Sequence, residues 1–68
     1  METRAIEVAG MSCEHCANAV RGEIGGLPGV TDVDVDVAAG TVRITAERLP
    51  GDAALRAAVE EAGYQFVG

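Results

Sequence analysis

The sequence VTDVDVDVAAGTVRITA, residues 30–46, carries the clearest structural pattern in this chain. Valine and aspartate alternate along its first half, and aliphatic residues alternate with Arg43 and Thr45 along its second half. A period of two is typical of a β-strand with one buried face and one face in water. We therefore predict a hairpin of two antiparallel strands, residues 30–37 and 42–46. Loop 38–41 joins them and places Gly40 where a positive φ is needed.

The same alternation predicts a register for the hairpin. Pairing Val35 with Ile44 and Asp36 with Arg43 places the aliphatic side chains on one face and the charged side chains on the other. A slip of one residue would turn one strand's aliphatic side chains toward the polar face, so such a slip is disfavoured.

Toward the N-terminus, residues 4–8 alternate with Ile6 and Val8 on one face, which predicts a further strand. A helix is predicted next, with Ser12 as a candidate N-cap. Its apolar residues recur at helical spacing and are Cys16, Ala17, Val20, Ile24 and Leu27. The segment GGLPG, residues 25–29, ends this helix.

Toward the C-terminus, the segment PGD, residues 50–52, opens a second helix with Asp52 as its expected N-cap. Gly63 is placed to end this helix in the C′ position, and residues 64–67 form a short last strand. The apolar face of the helix consists of Ala54, Leu55, Ala58, Val59 and Ala62.

The predicted order of elements is βαββαβ. One face of the sheet is rich in valine and needs cover, which two amphipathic helices supply. We therefore expect an α+β, ferredoxin-like sandwich in which a four-stranded antiparallel sheet carries two helices on one face. The 68 residues, 49% of them hydrophobic, fit a single domain over residues 1–68.

Charge and hydropathy narrow the classes of function. The net charge is −6, and the five basic residues are all arginine, so the basic patch that a nucleic-acid-binding surface needs is not expected. No apolar run reaches the length of a membrane span, and no apolar segment follows the N-terminus. We expect a cytosolic protein with no membrane insertion, in a compartment where thiols stay reduced.

The two cysteines of the chain, Cys13 and Cys16, lie where the first strand gives way to the first helix. Thiolates are soft ligands, and a helix N-terminus lowers the pKa of a thiol. Two thiolates suffice for a near-linear Cu(I) site but supply half of the four ligands of a closed zinc site. A CxxC pair can also exchange a disulfide, so both chemistries are open at this point.

The segment GMSCEHC, residues 10–16, resembles the GMxCxxC signature of the heavy-metal-associated domain family. The segments LPGV, residues 27–30, and VEEAGY, residues 59–64, resemble further recurrent segments of that family. The resemblance covers essentially the whole chain and is greatest for the small bacterial copper chaperones of the CopZ type.

This resemblance implies a cytosolic Cu(I) metallochaperone that is not an enzyme. Cys13 and Cys16 would be the metal ligands and would pass copper by ligand exchange to a copper-transporting P-type ATPase. A copper-responsive regulator is a further partner in some members. We expect the metal-free protein to be a monomer. The sequence leaves open whether Cu(I) bridges two chains into a homodimer.

Four other residues are candidates for contact with the ion or for tuning of the site. Met11 offers a thioether but is expected to fill the space under the loop. His15 could ligate transiently or stay in solvent, and Ser12 precedes the first cysteine. By resemblance, Tyr64 matches a position near the site.

Two other functions are alternatives to that of a copper chaperone. The first is a Zn(II)- or Hg(II)-binding domain of the same fold; zinc-type members place an acid where Ser12 stands. The second is a thiol–disulfide oxidoreductase, against which the sequence has no Trp directly before the cysteine pair and no Pro directly after it.

Overall fold

The computed structural model describes residues 1–12 and 14–68. The sheet order is β2-β3-β1-β4, and each neighbouring pair of strands is antiparallel. The prediction of an α+β, ferredoxin-like βαββαβ fold is confirmed. The elements are β1 (Glu2–Ala9), α1 (Glu14–Gly25), β2 (Val30–Asp36), β3 (Thr41–Ala46), α2 (Asp52–Glu61) and β4 (Gln65–Phe66).

The core lies between the sheet and the two helices. Most of the aliphatic positions predicted from the period of two are buried in the strands, and the middle of each stripe predicted from the helical period is buried in its helix. The predicted inward positions that are only half-buried are Val35, Val37, Cys16, Leu27, Ala54 and Ala62. From the sheet come Ile6, Val8, Val33, Val42, Ile44 and Ala46; from the helices come Ala17, Val20, Ile24, Leu55, Ala58 and Val59. Neither of the two described helices is long and apolar enough to cross a bilayer.

The predicted register of the β2–β3 hairpin is wrong by two residues. Val35 lies opposite Val42, and Val33 lies opposite Ile44. Arg43 faces Asp34 rather than Asp36. Because the shift is even, every side chain keeps its predicted face of the sheet.

The cause of the shift lies in the turn, which spans residues 37–40 rather than 38–41. The Asp36 side chain accepts a hydrogen bond from the Ala39 N–H at 3.2 Å. The Gly40 N–H donates to the Val37 carbonyl at 3.3 Å, and Gly40 has φ +66° as predicted. An aspartate side chain that accepts a hydrogen bond from a backbone N–H a few residues later favours a turn that begins directly after the aspartate. Strand pairing therefore stops at Asp36.

The prediction of Asp52 as the N-cap of α2 is also wrong. Gly51 caps the helix without a side-chain hydrogen bond, and Asp52 is the first helical residue. Its carboxylate instead accepts a hydrogen bond from the Arg4 guanidinium in β1. That hydrogen bond and the charge of Arg4 hold the pKa of Asp52 below its ordinary value.

Helix α1 ends at Gly25, so Leu27 lies beyond the helix although it still packs against the core. At the other end, α1 begins at Glu14, two residues after Ser12. The residue between them lies outside the described residues, so the capping role of Ser12 stays a prediction.

Candidate metal centre

One end of the molecule brings together the loop after β1, the start of α1, the hairpin turn and the loop after α2. We call this end the loop pole and define it as residues 10–12, 14–16, 37–40 and 63–64. The Val8 N–H donates to the Gly40 carbonyl at 2.8 Å, which holds the hairpin turn against the end of β1. A Cβ added at Gly40 would lie 3.2 Å from the Val8 carbonyl oxygen. The sequence indicated the positive φ of Gly40 but not this contact.

Of the two predicted ligands, Cys16 is described and Cys13 lies outside the described residues. Cys16 is the third residue of α1, is half-buried and packs against the hydrophobic core. The first turn of a helix presents unpaired N–H groups, and these favour the thiolate over the thiol. The position of Cys16 therefore suits a metal ligand, and the assignment of both cysteines as ligands stays a prediction.

The side chains around Cys16 differ in exposure. Met11 is 8% exposed and belongs to the core, so it fills the space beneath the loop as expected. Ser12, Glu14 and His15 are exposed. Exposure leaves His15 available to solvent or to an incoming group.

Helix α2 ends at the loop pole in a Schellman motif. Gly63 has φ +93°, as predicted for the C′ position, and its N–H donates to the Glu60 carbonyl at 2.9 Å. The Tyr64 N–H donates to the Val59 carbonyl at 3.1 Å. These two bonds fix the backbone of Tyr64 at the end of the helix.

The Tyr64 ring lies against the backbone of Gly10, the residue before Met11. A Cβ added at Gly10 would lie 3.3 Å from Tyr64 Cδ1, and Gly10 has φ +95°. Tyr64 is half-buried and packs against the core. The structure thus places Tyr64 beside the CxxC loop. It also identifies Gly10, which the sequence analysis noted only as the first residue of the GMSCEHC segment, as a positioning residue.

In the described part of the chain, no three His, Cys, Asp or Glu side chains are grouped so that they could hold a metal ion. Cys13, half of the predicted pair, falls outside that part. Of the named candidates, Cys16, Met11, Ser12, His15 and Tyr64 all lie at the loop pole.

The chain combines a ferredoxin-like sandwich with a half-buried thiol in the first turn of a helix, and its sequence matches a known family. The family model of the heavy-metal-associated domain matches residues 5–65. The chain belongs to the heavy-metal-associated domain family, as its motif indicated.

Individual relatives share nearly the full length of the chain. It is 38% identical over 65 residues to the copper chaperone CopZ of Staphylococcus haemolyticus, covering 94% of this chain and 96% of that protein. The solved structure of a CopZ metallochaperone superposes with a TM-score of 0.89 at 31% identity, covering 97% of this chain and 100% of the other. A copper-exporting P-type ATPase of Bacillus subtilis is 34% identical over 64 residues, which are 93% of this chain and 8% of the ATPase.

Proposed function

We propose that this protein is a Cu(I) metallochaperone, a non-enzymatic cytosolic carrier whose residues 1–68 form one heavy-metal-associated domain. It binds Cu(I) through Cys13 and Cys16 and delivers the ion to a copper-transporting P-type ATPase. One observation carries the proposal. The sequence has a CxxC pair whose second cysteine lies in the first turn of α1, on a fold that the chain shares along nearly its whole length with a copper chaperone.

The number and softness of the two sulfur ligands favour Cu(I) over Zn(II). Cu(I) accepts two thiolates in a near-linear arrangement, whereas a structural zinc ion takes four ligands. The buried position of Met11 supports a two-sulfur site, because a thioether that fills the core is not free to turn toward the loop. The pair Cys13 and Cys16 is therefore a complete site for Cu(I) and half a site for Zn(II).

Transfer proceeds by ligand exchange with no change in the oxidation state of copper. An incoming thiolate forms a new Cu–S bond and makes the ion three-coordinate. One Cu–S bond to the chaperone then breaks, and the released sulfur can take up a proton. Because Cys16 is half-buried in the first turn of α1, it is suited to be the anchor, and Cys13 to leave first.

The likeness to a segment of a copper-exporting ATPase supports the kind of partner. A partner that carries the same domain can offer a dithiol of the same geometry, so exchange between the two needs little rearrangement. A copper-responsive regulator would draw on the same exchange. Two copies of the chain could also share copper through their loop poles.

Competition between metals tests the proposal. We expect anaerobic titration, followed by native mass spectrometry, to give one Cu(I) per chain that excess Zn(II) does not displace. Equal retention of Zn(II) or Hg(II) would favour the alternative of a divalent-metal domain. Catalytic reduction of a disulfide substrate by the metal-free protein would favour an oxidoreductase.

A further inference from the structure

Strand β2 forms one edge of the sheet and is long enough to pair with a further strand. Within residues 1–12 and 14–68, β2 has a neighbouring strand on one side only, which is β3. It has seven residues, whereas β4 at the opposite edge has two. An edge strand presents N–H and C=O groups that can bond to the backbone of another chain. The free side of β2 is therefore the place where this sheet can be extended.

The pairing of the strands shows which backbone groups of β2 face the free side. Along a strand these groups point alternately to the two sides, and opposed residues that point toward each other exchange hydrogen bonds. Glu7 in β1 points toward β4, because its N–H and its carbonyl bond to residues 67 and 68. Followed through the registers of β1 with β3 and of β3 with β2, this alternation points Asp34 toward β3. Val33 and Val35 therefore direct their N–H and C=O groups to the free side.

A groove lies along this free side, between β2 and α1, and we call it the edge groove. On the strand side it is lined by residues 30–37, and on the helix side by Glu14, Ala17, Arg21 and Gly25. The half that Glu14 lines continues over the open face of the sheet to Arg43. Residues three and four apart lie on one face of a helix, so the helix side is a single stripe of α1. The edge groove thus runs the length of the strand.

The valines of β2 that face α1 are incompletely covered. Val30 and Val35 are half-buried, whereas Val42 and Ile44 in β3 are 0% exposed. Apolar side chains of a strand added in the edge groove would cover this surface and remove it from water. The groove therefore offers both backbone hydrogen bonds and apolar burial.

The open face of β2 carries three exposed aspartates, Asp32, Asp34 and Asp36. Arg43 lies opposite Asp34, and threonines of β3 lie opposite the other two. The middle acid therefore has a cation beside it in the sheet, and the outer two do not. Antiparallel pairing of β2 with β2 of a second copy would oppose aspartate to aspartate along the row, which is destabilising. A second copy of this chain is thus not the occupant of the edge groove.

We propose that the edge groove binds an extended segment of a partner protein, which adds to the sheet as a further strand beside β2. The residues of this segment opposite Val33 and Val35 bond to them through the backbone. Their side chains are apolar and turn toward α1, where they cover the exposed part of the valines. Binding of the segment does not involve copper, so this interaction is additional to the proposed function.

The charges of β2 specify the rest of the segment. Lysine or arginine stands opposite Asp32 and opposite Asp36, because neither acid has a cation beside it. A neutral residue stands opposite Asp34, beside which Arg43 already lies. The expected pattern is basic, apolar, neutral, apolar, basic, and it reads the same in both directions.

Titration of the metal-free, reduced protein with the peptide GSKVTVKSG, followed by amide NMR, tests the proposal. We expect exchange of the Val33 and Val35 amide hydrogens with solvent to slow roughly tenfold at about 90% saturation, because a bonded N–H exchanges only from the free protein. Exchange at Asp34, which points toward β3, should change little. Absence of binding at millimolar peptide, or binding without protection of these two amides, would overturn the proposal.

Two altered peptides separate strand addition from general attraction to a chain of net charge −6. The first, GSKKTVVSG, has the same composition without the alternating pattern. The second is GSKVTVKSG with N-methyl groups on both valines, which removes the N–H donors aimed at β2 and keeps every charge. We expect each to bind at least about tenfold more weakly than the parent peptide. Equal binding of the N-methylated peptide would overturn pairing through the backbone.

A pair of protein variants tests the position of the charges. Asp32→Asn/Asp36→Asn removes the two outer charges, and the amide that replaces Asp36 can still accept the hydrogen bond of the turn. The matched control, Glu60→Gln/Glu61→Gln, removes equal charge at the end of α2, which packs against β4 at the other edge. At about 0.15 M salt we expect the affinity for GSKVTVKSG to fall roughly fivefold in the first variant and to stay within about twofold in the control. Equal losses in both variants would overturn the specified pattern of charge.

Discussion

Gly10 sets the backbone before the cysteine pair. Its φ of +95° lies in the left-handed region, and an added Cβ would press on the Tyr64 ring at 3.3 Å. We predict that Gly10→Ala lowers the free energy of unfolding by about 1–2 kcal/mol, because the methyl group meets both the backbone strain and the ring. Urea denaturation measures the loss. An unchanged free energy of unfolding would show that the loop adapts without cost and that Gly10 does not position it.

His15 is exposed and follows Glu14 in the first turn of α1. Successive helical residues point about 100° apart, so His15 and Cys16 do not face the same point. We predict that His15→Ser leaves the affinity for one Cu(I) within about tenfold, equivalent to about 1.4 kcal/mol. Competition with a chromophoric Cu(I) chelator measures the affinity. A loss of more than a hundredfold would make His15 a ligand.

At the scale of single residues, the sequence predicted the positions of two side chains around the cysteine-containing loop. Met11 was expected beneath the loop and Tyr64 near it, and both lie there. The contact of Tyr64 with Gly10 and the pairing of Arg4 with Asp52 were missed. Each joins residues about fifty positions apart, and no local pattern records which residues meet at that separation.

At the scale of elements, a substitution at Gly22 tests how much intrinsic helix propensity contributes to the stability of α1. It lies inside α1, is exposed, and has no atom within 4 Å of an added Cβ. We predict that Gly22→Ala raises the free energy of unfolding by about 0.5–1 kcal/mol, since alanine loses less backbone entropy on folding. Urea denaturation again measures the free energy of unfolding. The change for Gly22→Ala should have the opposite sign to the change for Gly10→Ala. Destabilisation by Gly22→Ala would mean that an unseen constraint requires glycine there.

The periods of two and of 3.6 residues predicted the first three strands and both helices, because burial of one face is a local property of the sequence. The register of the hairpin was not predictable in the same way. A shift by two residues keeps each valine and each aspartate on its own face, so alternation alone cannot distinguish the two pairings. The bond from Ala39 to the Asp36 side chain decides between them.

At the scale of the whole molecule, side chains of β1 bond to the connection between β3 and α2 and to the first residue of α2. The Arg4 guanidinium pairs with Asp52, and Glu2 Oε1 accepts a hydrogen bond from the Leu49 N–H at 2.8 Å. These contacts lie at the end of the molecule opposite the loop pole. They contribute to stability without touching the metal site.

The pairing of Asp52 predicts a pH dependence. Because Arg4 lowers the pKa of Asp52 in the folded state, the pair stabilises the protein above the ordinary value of 3.8, and this stabilisation is lost as the pH falls through the lower folded value. We predict that Asp52→Asn lowers the urea midpoint at neutral pH and that the difference from wild type disappears at acid pH. Asp32→Asn, a variant of equal charge on the open sheet face, is the control. A difference that persists below the folded pKa would show that the charge of Asp52 is not its source.

The proposed function depends on two cysteines that together hold one Cu(I). The most direct measurement counts copper by anaerobic native mass spectrometry, in the presence of a competing Cu(I) chelator, for wild type and for Cys13→Ser/Cys16→Ser. We predict one Cu(I) on each wild-type chain and none on the double variant, with the same circular dichroism spectrum for both. Tight Cu(I) binding that survives in the folded double variant would show that the cysteine pair is not the copper site.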